Sequence, residues 1–264
     1  MLTSLQNPLI KQMRKLHRAK ARREQNLYLL EGTHLLQAAC DANHSLVTVC
    51  CTPQWQERQP CLWQTVSQKA ARTELVSPEV LAKLATTVNP DGVVATIPPR
   101  TLLASSDLSL GLMLERLQDP GNLGTILRTA VATSTDRLWL SQDSVELHNP
   151  KVMRASAGSW FQAPIAHSDN LAATVVHYQQ QGTQIVATRP QATQAYWELD
   201  WSVPTLILLG NEGAGLSREL VTLADRQVQI PLRNGVESLN VAIAAALLLY
   251  EARRQRSLIR GQGE

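Results

Sequence analysis

The sequence lacks any C-x-x-C pair. Its four cysteines, Cys40, Cys50, Cys51 and Cys61, have no His pair nearby. In a chain of 264 residues that spacing excludes a disulfide framework and gives no metal-ligand pattern, so reduced thiols, no bound metal and a cytoplasmic protein are expected. Long hydrophobic runs are missing too. The longest, Val241 to Tyr250, covers ten residues, about half of what crosses a bilayer. The N-terminus is polar and basic where a signal peptide would carry its apolar segment, so neither a membrane span nor export is expected. Internal repeats and low-complexity stretches are absent. What remains is a chain with 44% hydrophobic residues, long enough to bury one large core or two ordinary ones.

Net charge is also small, +3 at pH 7, yet it is unevenly placed. Seven cations (Lys11, Arg14, Lys15, Arg18, Lys20, Arg22 and Arg23) crowd the N-terminus, with Glu24 the only acid before Glu31. Such a cluster is either a solvated face or a grip on an anionic partner. From Asn7 to Lys20 the pattern is helical: Leu9, Met13 and Leu16 share a side, and Asn7-Pro8 supplies a cap and a first-turn proline. The apolar runs "LYLLEG", "SLVTVCC" and "DGVVATIP" then alternate with the helix-like "THLLQAACDA" and "SPEVLAKLA", which predicts a small α/β domain. Proline, serine and lost periodicity across Pro98 to Ser109 mark a linker. The boundary is set near residue 105, giving domains 1–105 and 106–264. In the second, "LGLMLERL", "DRLWLS", "TQIVATR", "PTLILLG" and "RQVQIPL" alternate with helical segments, the signature of a mostly parallel sheet covered on both faces.

Three loops follow apolar strands in that domain, where open α/β sheets bind ligands. In "LERLQDPGNLGTILRTAVAT", Asn122 can cap a helix whose core stripe is Leu123, Ile126, Leu127 and Ala130. Arg128 lies off that stripe, four residues after Gly124, so it can lean back over a bare glycine or simply face solvent. In "LILLGNEGAGLSREL" the glycines follow G-x-x-G-x-G. That order misses the dinucleotide fingerprint and lacks a P-loop lysine, which argues against a nicotinamide-dependent oxidoreductase and leaves a plain turn as the bland alternative. In "IPLRNGVESLNVAIAAALLLYEARRQR", Ile230-Pro231-Leu232 reads as a strand end, with Ser238 capping a buried helix. Singly, Ser238 and Asn240 could be no more than helix-start residues.

Together the three segments resemble the motifs of the SpoU/TrmH family of RNA ribose 2′-O-methyltransferases. Asn122 and Arg128 match N-x-G-x-x-x-R. Gly210, Glu212 and Gly215 match the G-N-E-G-x-G loop, and Pro231, Gly235, Glu237, Ser238, Leu239 and Asn240 match the third motif. "HNPKVMRASAGSWFQAPI", with Arg154, Ser156 and Gly158, is similar to the segment that family places between its first two motifs, so the resemblance covers about residues 107–256. The N-terminal stretch is similar to the small RNA-binding domain many members carry.

The resemblance implies a SPOUT fold, an α/β domain with a mostly parallel sheet and a deep trefoil knot, preceded here by a small α/β RNA-binding domain. It also implies S-adenosylmethionine as cofactor, a homodimer, and an RNA substrate. Ribosomal RNA is preferred to transfer RNA because the N-terminal domain resembles that of ribosomal RNA modifiers. Gly210, Ile230 and Leu239 would contact the cofactor, largely through backbone. Asn122, Glu212, Ser238 and Asn240 would hold the ribose or brace the site. The family's arginine at Arg128 is proposed to deprotonate the 2′-hydroxyl, but a guanidinium titrates above about 12 and suits a phosphate anchor and transition-state stabiliser better. A non-catalytic RNA-binding protein on the same fold is the alternative, opposed by the complete polar set. The sequence names no particular nucleotide, because ribose chemistry is independent of the base.

Overall fold

A computed structural model of the chain describes residues 1–100 and 108–260, with the backbone alone at 167, 259 and 260. The expected boundary near residue 105 lies outside the described residues. The chain divides into two compact units, Met1–Thr101 with Glu146–Gln162, and Leu102–Val145 with Ala163–Glu264.

In the first unit, strands β1 (Tyr28–Glu31), β2 (Leu46–Cys51), β3 (Ala70–Leu75) and β4 (Val93–Ile97) form a sheet in the order β1-β4-β2-β3. β4 runs antiparallel to both neighbours, and β3 joins β2 in parallel. β3 escapes a reading of apolar runs because its sequence, AARTEL, leaves it half-exposed at the edge. Ile10, Met13 and Leu16, spaced one helical turn apart, pack in one cluster with Val80, Leu81 and Leu84 and with the strand residues Leu29, Cys50 and Val94. Each such side chain contributes about 1.5–3 kcal/mol by leaving water. Cys50 shares this interior and its neighbour Cys51 is equally buried, and burial pushes both thiols up to about 12.

The single basic helix expected from Asn7 to Lys20 is two, Pro8–Lys15 and Ala19–Gln25. Asn7 caps the first through Leu9 N–H, as its sequence suggests. The break has a cause in Arg22. Its guanidinium turns inward and donates to the carbonyls of Leu16 (2.8 Å) and His17 (3.0 Å), taking oxygens at the end of the first helix. Only 3% exposed, Arg22 also pairs with Glu146. One of the seven N-terminal cations is thus an internal strut, while Lys11, Arg14, Lys15, Arg18, Lys20 and Arg23 are exposed.

Residues 146–162 belong to this first unit, a departure from the expected 106–264 domain. Charges and rings hold them there. Beyond Glu146, His148 stacks on Tyr28 with centroids 3.7 Å apart and planes 5° from parallel. Arg154 of the helix Pro150–Ala155 meets Glu31 at 3.0 Å and donates to Thr86 Oγ1 at 2.7 Å. Glu31 is almost fully buried and also accepts from Thr86 N–H and O–H, so no carboxylate oxygen is left orphaned.

The second unit is built on β5 (Leu110–Leu114), β6 (Arg137–Ser141), β7 (Ile165–Ser168), β8 (Gln184–Thr188), β9 (Gln194–Ala195), β10 (Thr205–Leu209) and β11 (Arg226–Gln229). They form one sheet in the order β7-β6-β5-β10-β8-β11-β9, and every pairing is parallel. The five expected strands are present but shorter. β5 stops at Leu114 before the left-handed Arg116, and β11 stops at Gln229 before Pro231, which has no N–H for a ladder. β7 and β9 are too short to stand out in sequence. β5 and β10 are buried along their whole length, which fits central strands covered on both faces. Their carboxyl ends, with that of β11, lead into the three motif loops.

Candidate active site

The loop after β5 holds its shape through backbone groups. Arg116 has φ 54°, a left-handed conformation uncommon for a long side chain. Its N–H donates to Ser141 Oγ (2.8 Å), and its carbonyl accepts from Asn211 Nδ2 (2.8 Å) and Gln118 Nε2 (3.2 Å). Asp119 then starts the helix Pro120–Ala132, its carboxylate accepting from Asn122 N–H at 2.9 Å. Asn122 is therefore not the cap, contrary to the sequence expectation. Both residues can cap, and Asp119 stands directly before Pro120 at the favoured first position. The Asn122 side chain is released for other use.

In the loop after β10, Asn211 and Gly215 exchange backbone hydrogen bonds (3.1 and 2.9 Å), while Asn211 Oδ1 accepts from Gly213 and Ala214 N–H, both at 2.9 Å. A Cβ on Gly210 would stand 2.1 Å from the Gly215 carbonyl carbon and 2.2 Å from Leu216 N, so no side chain fits there. This packing accounts for the glycine independently of any ligand. The turn leaves Glu212 exposed at its tip. In the third loop Asn234 (φ 59°) and Gly235 (φ 74°) make a tight left-handed turn closed by Val236 N–H on the Arg233 carbonyl. Asn240 caps the helix Val241–Arg260, its Oδ1 accepting from Ala242 N–H (2.9 Å) and Ile243 N–H (3.4 Å). Ser238, the expected cap, lies too far up the chain and is exposed.

Three of the expected residues meet. Asn240 Nδ2 donates to Asn122 Oδ1 at 2.9 Å, and Asn122 Nδ2 donates to Glu212 Oε1 at 3.0 Å. These contacts span 118 and 90 residues of chain and fix which way the Asn122 amide faces. Asn240 serves two masters, its oxygen on the helix and its nitrogen on Asn122. Ser238 and Arg128 stand outside the chain of bonds. Both are exposed, and among the described residues neither hydroxyl nor guanidinium has a polar partner. Gly124, one turn before Arg128, is buried. Ile230 is half-buried, and Leu239 is 37% exposed. Sequence reasoning missed Asn211, which shapes the Gly-rich turn, and Glu115, whose carboxylate accepts from Ser217 N–H at 2.7 Å. For Asn211 the signal was available: an Asn beside glycines is a turn-former that bonds backbone two residues on. Among the described residues no three His, Cys, Asp or Glu side chains are grouped so that they could hold a metal ion.

A parallel sheet with a polar cluster at the carboxyl ends of its strands defines an α/β ligand-binding protein. Comparison narrows that class. The model of the SpoU rRNA Methylase family matches residues 109–250, and that of the MRM3-like substrate binding domain matches residues 7–95. An "uncharacterized tRNA/rRNA methyltransferase" of Synechocystis is 50% identical over 97% of this chain and 94% of its own. A 23S rRNA (guanosine(2553)-2′-O)-methyltransferase of Bacillus subtilis is 31% identical over 96% and 98%. Among solved structures, an AdoMet-bound rRNA methyltransferase from Sinorhizobium meliloti has TM-score 0.84 at 31% identity, covering 96% of this chain and 97% of that one. The SpoU methyltransferase AviRb from Streptomyces viridochromogenes, in complex with AdoMet, has TM-score 0.85 at 26% identity, covering 96% and 99%. The chain belongs to the SpoU rRNA methylase family.

Proposed function

We propose that this chain transfers the methyl group of S-adenosylmethionine to a ribose 2′-hydroxyl of ribosomal RNA, with Asn122, Glu212 and Asn240 as the group that positions the acceptor. The observation carrying this reading is the bonded chain from Asn240 through Asn122 to Glu212, which gathers one residue from each motif. Displacement at a methyl carbon needs attacking oxygen, carbon and leaving sulfur in line, so rigid placement is a large part of the task. Amides locked by their neighbours provide it without conformational search.

The loops at 210–217 and 230–240 fit the cofactor. Around Gly215 and Gly235 a Cβ would meet nothing within 4 Å, and the exposed apolar side chains of Val236 and Leu239 lie in the third loop. Open backbone beside apolar surface suits a nucleoside that is read by main-chain groups. Gly210, Ile230 and Leu239 would hold it there. When bound, S-adenosylmethionine supplies an electrophilic methyl on a cationic sulfur. The free donors of Arg128 and Ser238 remain for the RNA, Arg128 as anchor for a phosphate and Ser238 for the ribose.

The same reading includes a trefoil knot, a homodimer and a cytoplasmic setting. Ile243 (51% exposed), Leu247 and Tyr250 (53%) fall on one side of the helix Val241–Arg260, an apolar stripe that supports pairing with a second copy. The opposite side, Val241, Ala245, Leu248 and Ala252, is buried. Among the described residues no helix is long and apolar enough to cross a membrane. The test is transfer of labelled methyl from S-adenosylmethionine to ribosomal and transfer RNA in parallel, followed by mapping of 2′-O-methyl positions. Label in ribosomal RNA is expected. Label confined to transfer RNA would move the substrate, and cofactor binding without transfer to either would leave an RNA-binding protein.

A further inference from the structure

We infer that Arg116, outside all three motifs, is a second phosphate-binding residue, holding the RNA backbone beside the acceptor nucleotide. This rests on the reading of the chain as an RNA methyltransferase and adds a contact to it. Arg116 stands at the carboxyl end of β5, three residues before the Asp119 cap and six before Asn122. The Asn211 that folds the Gly-rich turn also binds its carbonyl. Its backbone is thus tied to two of the three loops that build the site.

The conformation is unfavourable and over-determined. A long side chain at φ 54° is held by Ser141, Asn211 and Gln118 through main-chain atoms alone, bonds that any residue at this position could make. Glycine or asparagine would adopt that backbone more readily. Residues kept against such a preference concentrate where substrates bind. The guanidinium itself is under-used. Its Nε is buried without a hydrogen-bond partner, and its nearest carboxylate, Glu115, is 3.8 Å away and already accepts from Ser217 N–H. Other acids of this edge are committed, Asp119 to Asn122 N–H, Glu212 to the Asn122 amide and Asp143 to Ser141 Oγ. The side chain is 38% exposed, so its terminal nitrogens can reach a tetrahedral anion from solvent.

The backbone strain supplies the test. In the full chain, Arg116→Gly should leave the melting temperature unchanged or raised, since glycine accepts the left-handed position. It should raise KM for ribosomal RNA about tenfold, leave S-adenosylmethionine affinity unchanged, and flatten the log–log salt dependence of RNA binding by about 0.7–0.9 of a unit. Arg116→Lys should restore the salt slope but only part of the affinity. RNA binding is measured directly by filter retention, so the result stands whether or not methyl transfer is detected. Unaltered RNA affinity and slope in Arg116→Gly would overturn the assignment. So would a fall in melting temperature, which makes the arginine structural, or a fall in cofactor affinity, which gives the guanidinium to the cofactor. A wild-type chain that binds ribosomal RNA but transfers no methyl group would sink the functional reading and spare this one.

Discussion

Arg22 and Arg128 are both helix-borne arginines next to a hydrophobic core, and they have opposite fates. Arg22 is 3% exposed, bonded to two carbonyls and paired with Glu146, while Arg128 is exposed and unpartnered among the described residues. The contrast runs through the two units. In the first, charged side chains close pairs inside the fold (Arg22 with Glu146, Arg154 with Glu31) and act as struts. In the second, polar side chains collect at the open ends of β5, β10 and β11, bonded to one another but facing outward. A buried charge must find its partner within the protein. An exposed donor left without a partner in the protein is available to a substrate.

The largest effect that should sharpen this contrast is on stability. Arg22→Ala leaves Glu146 without its partner in a largely buried site and should cost about 3 kcal/mol in urea unfolding. The salt dependence of RNA binding should not change, and a flattened slope would return Arg22 to the RNA-binding face. In Arg128→Lys the fold should be untouched while methyl transfer falls about a hundredfold, because lysine keeps the charge but loses the planar two-pronged donor that anchors a phosphate. Recovery of most of the activity by lysine would mean that charge alone matters. Asn240→Ala removes both a helix cap and the bond to Asn122. A loss of at least about tenfold in kcat is expected, above the roughly 1 kcal/mol cap penalty seen in unfolding. Near-normal kcat in a folded variant would falsify its positioning role. The smallest effects belong to the six exposed N-terminal cations: replacing any one, Lys15→Gln for example, should lower the salt slope by about one unit at most without altering cofactor affinity.

The motif loops were legible because their chemistry is local: glycines, a proline and small polar residues at fixed spacing after apolar runs. The parallel sheet was legible from the continuous hydrophobicity of β5 and β10. What could not be read depended on partners distant in sequence. Nothing near Arg22 marks it as internal, because Glu146 lies 124 residues away. For the same reason residues 146–162 read as part of the second domain. Capping was ambiguous for a different cause, since Asp119 and Asn122, or Ser238 and Asn240, are equally able acceptors and only the path of the chain selects one. Arg116 was invisible because a left-handed arginine leaves no trace in composition.

The membership of residues 146–162 in the first unit has a consequence for synthesis. Ribosomes add about 5–20 residues per second, so Arg22 emerges roughly 6–25 s before Glu146 can reach it. During that interval the nascent first unit lacks the helix Pro150–Ala155 and the ring of His148, and an arginine bound for the interior has no counter-charge. The N-terminal sheet can form early, but its unit closes only after residue 162 is made, when β5, β6 and the first motif already exist. The first unit can therefore close only after part of the second unit's chain has been made.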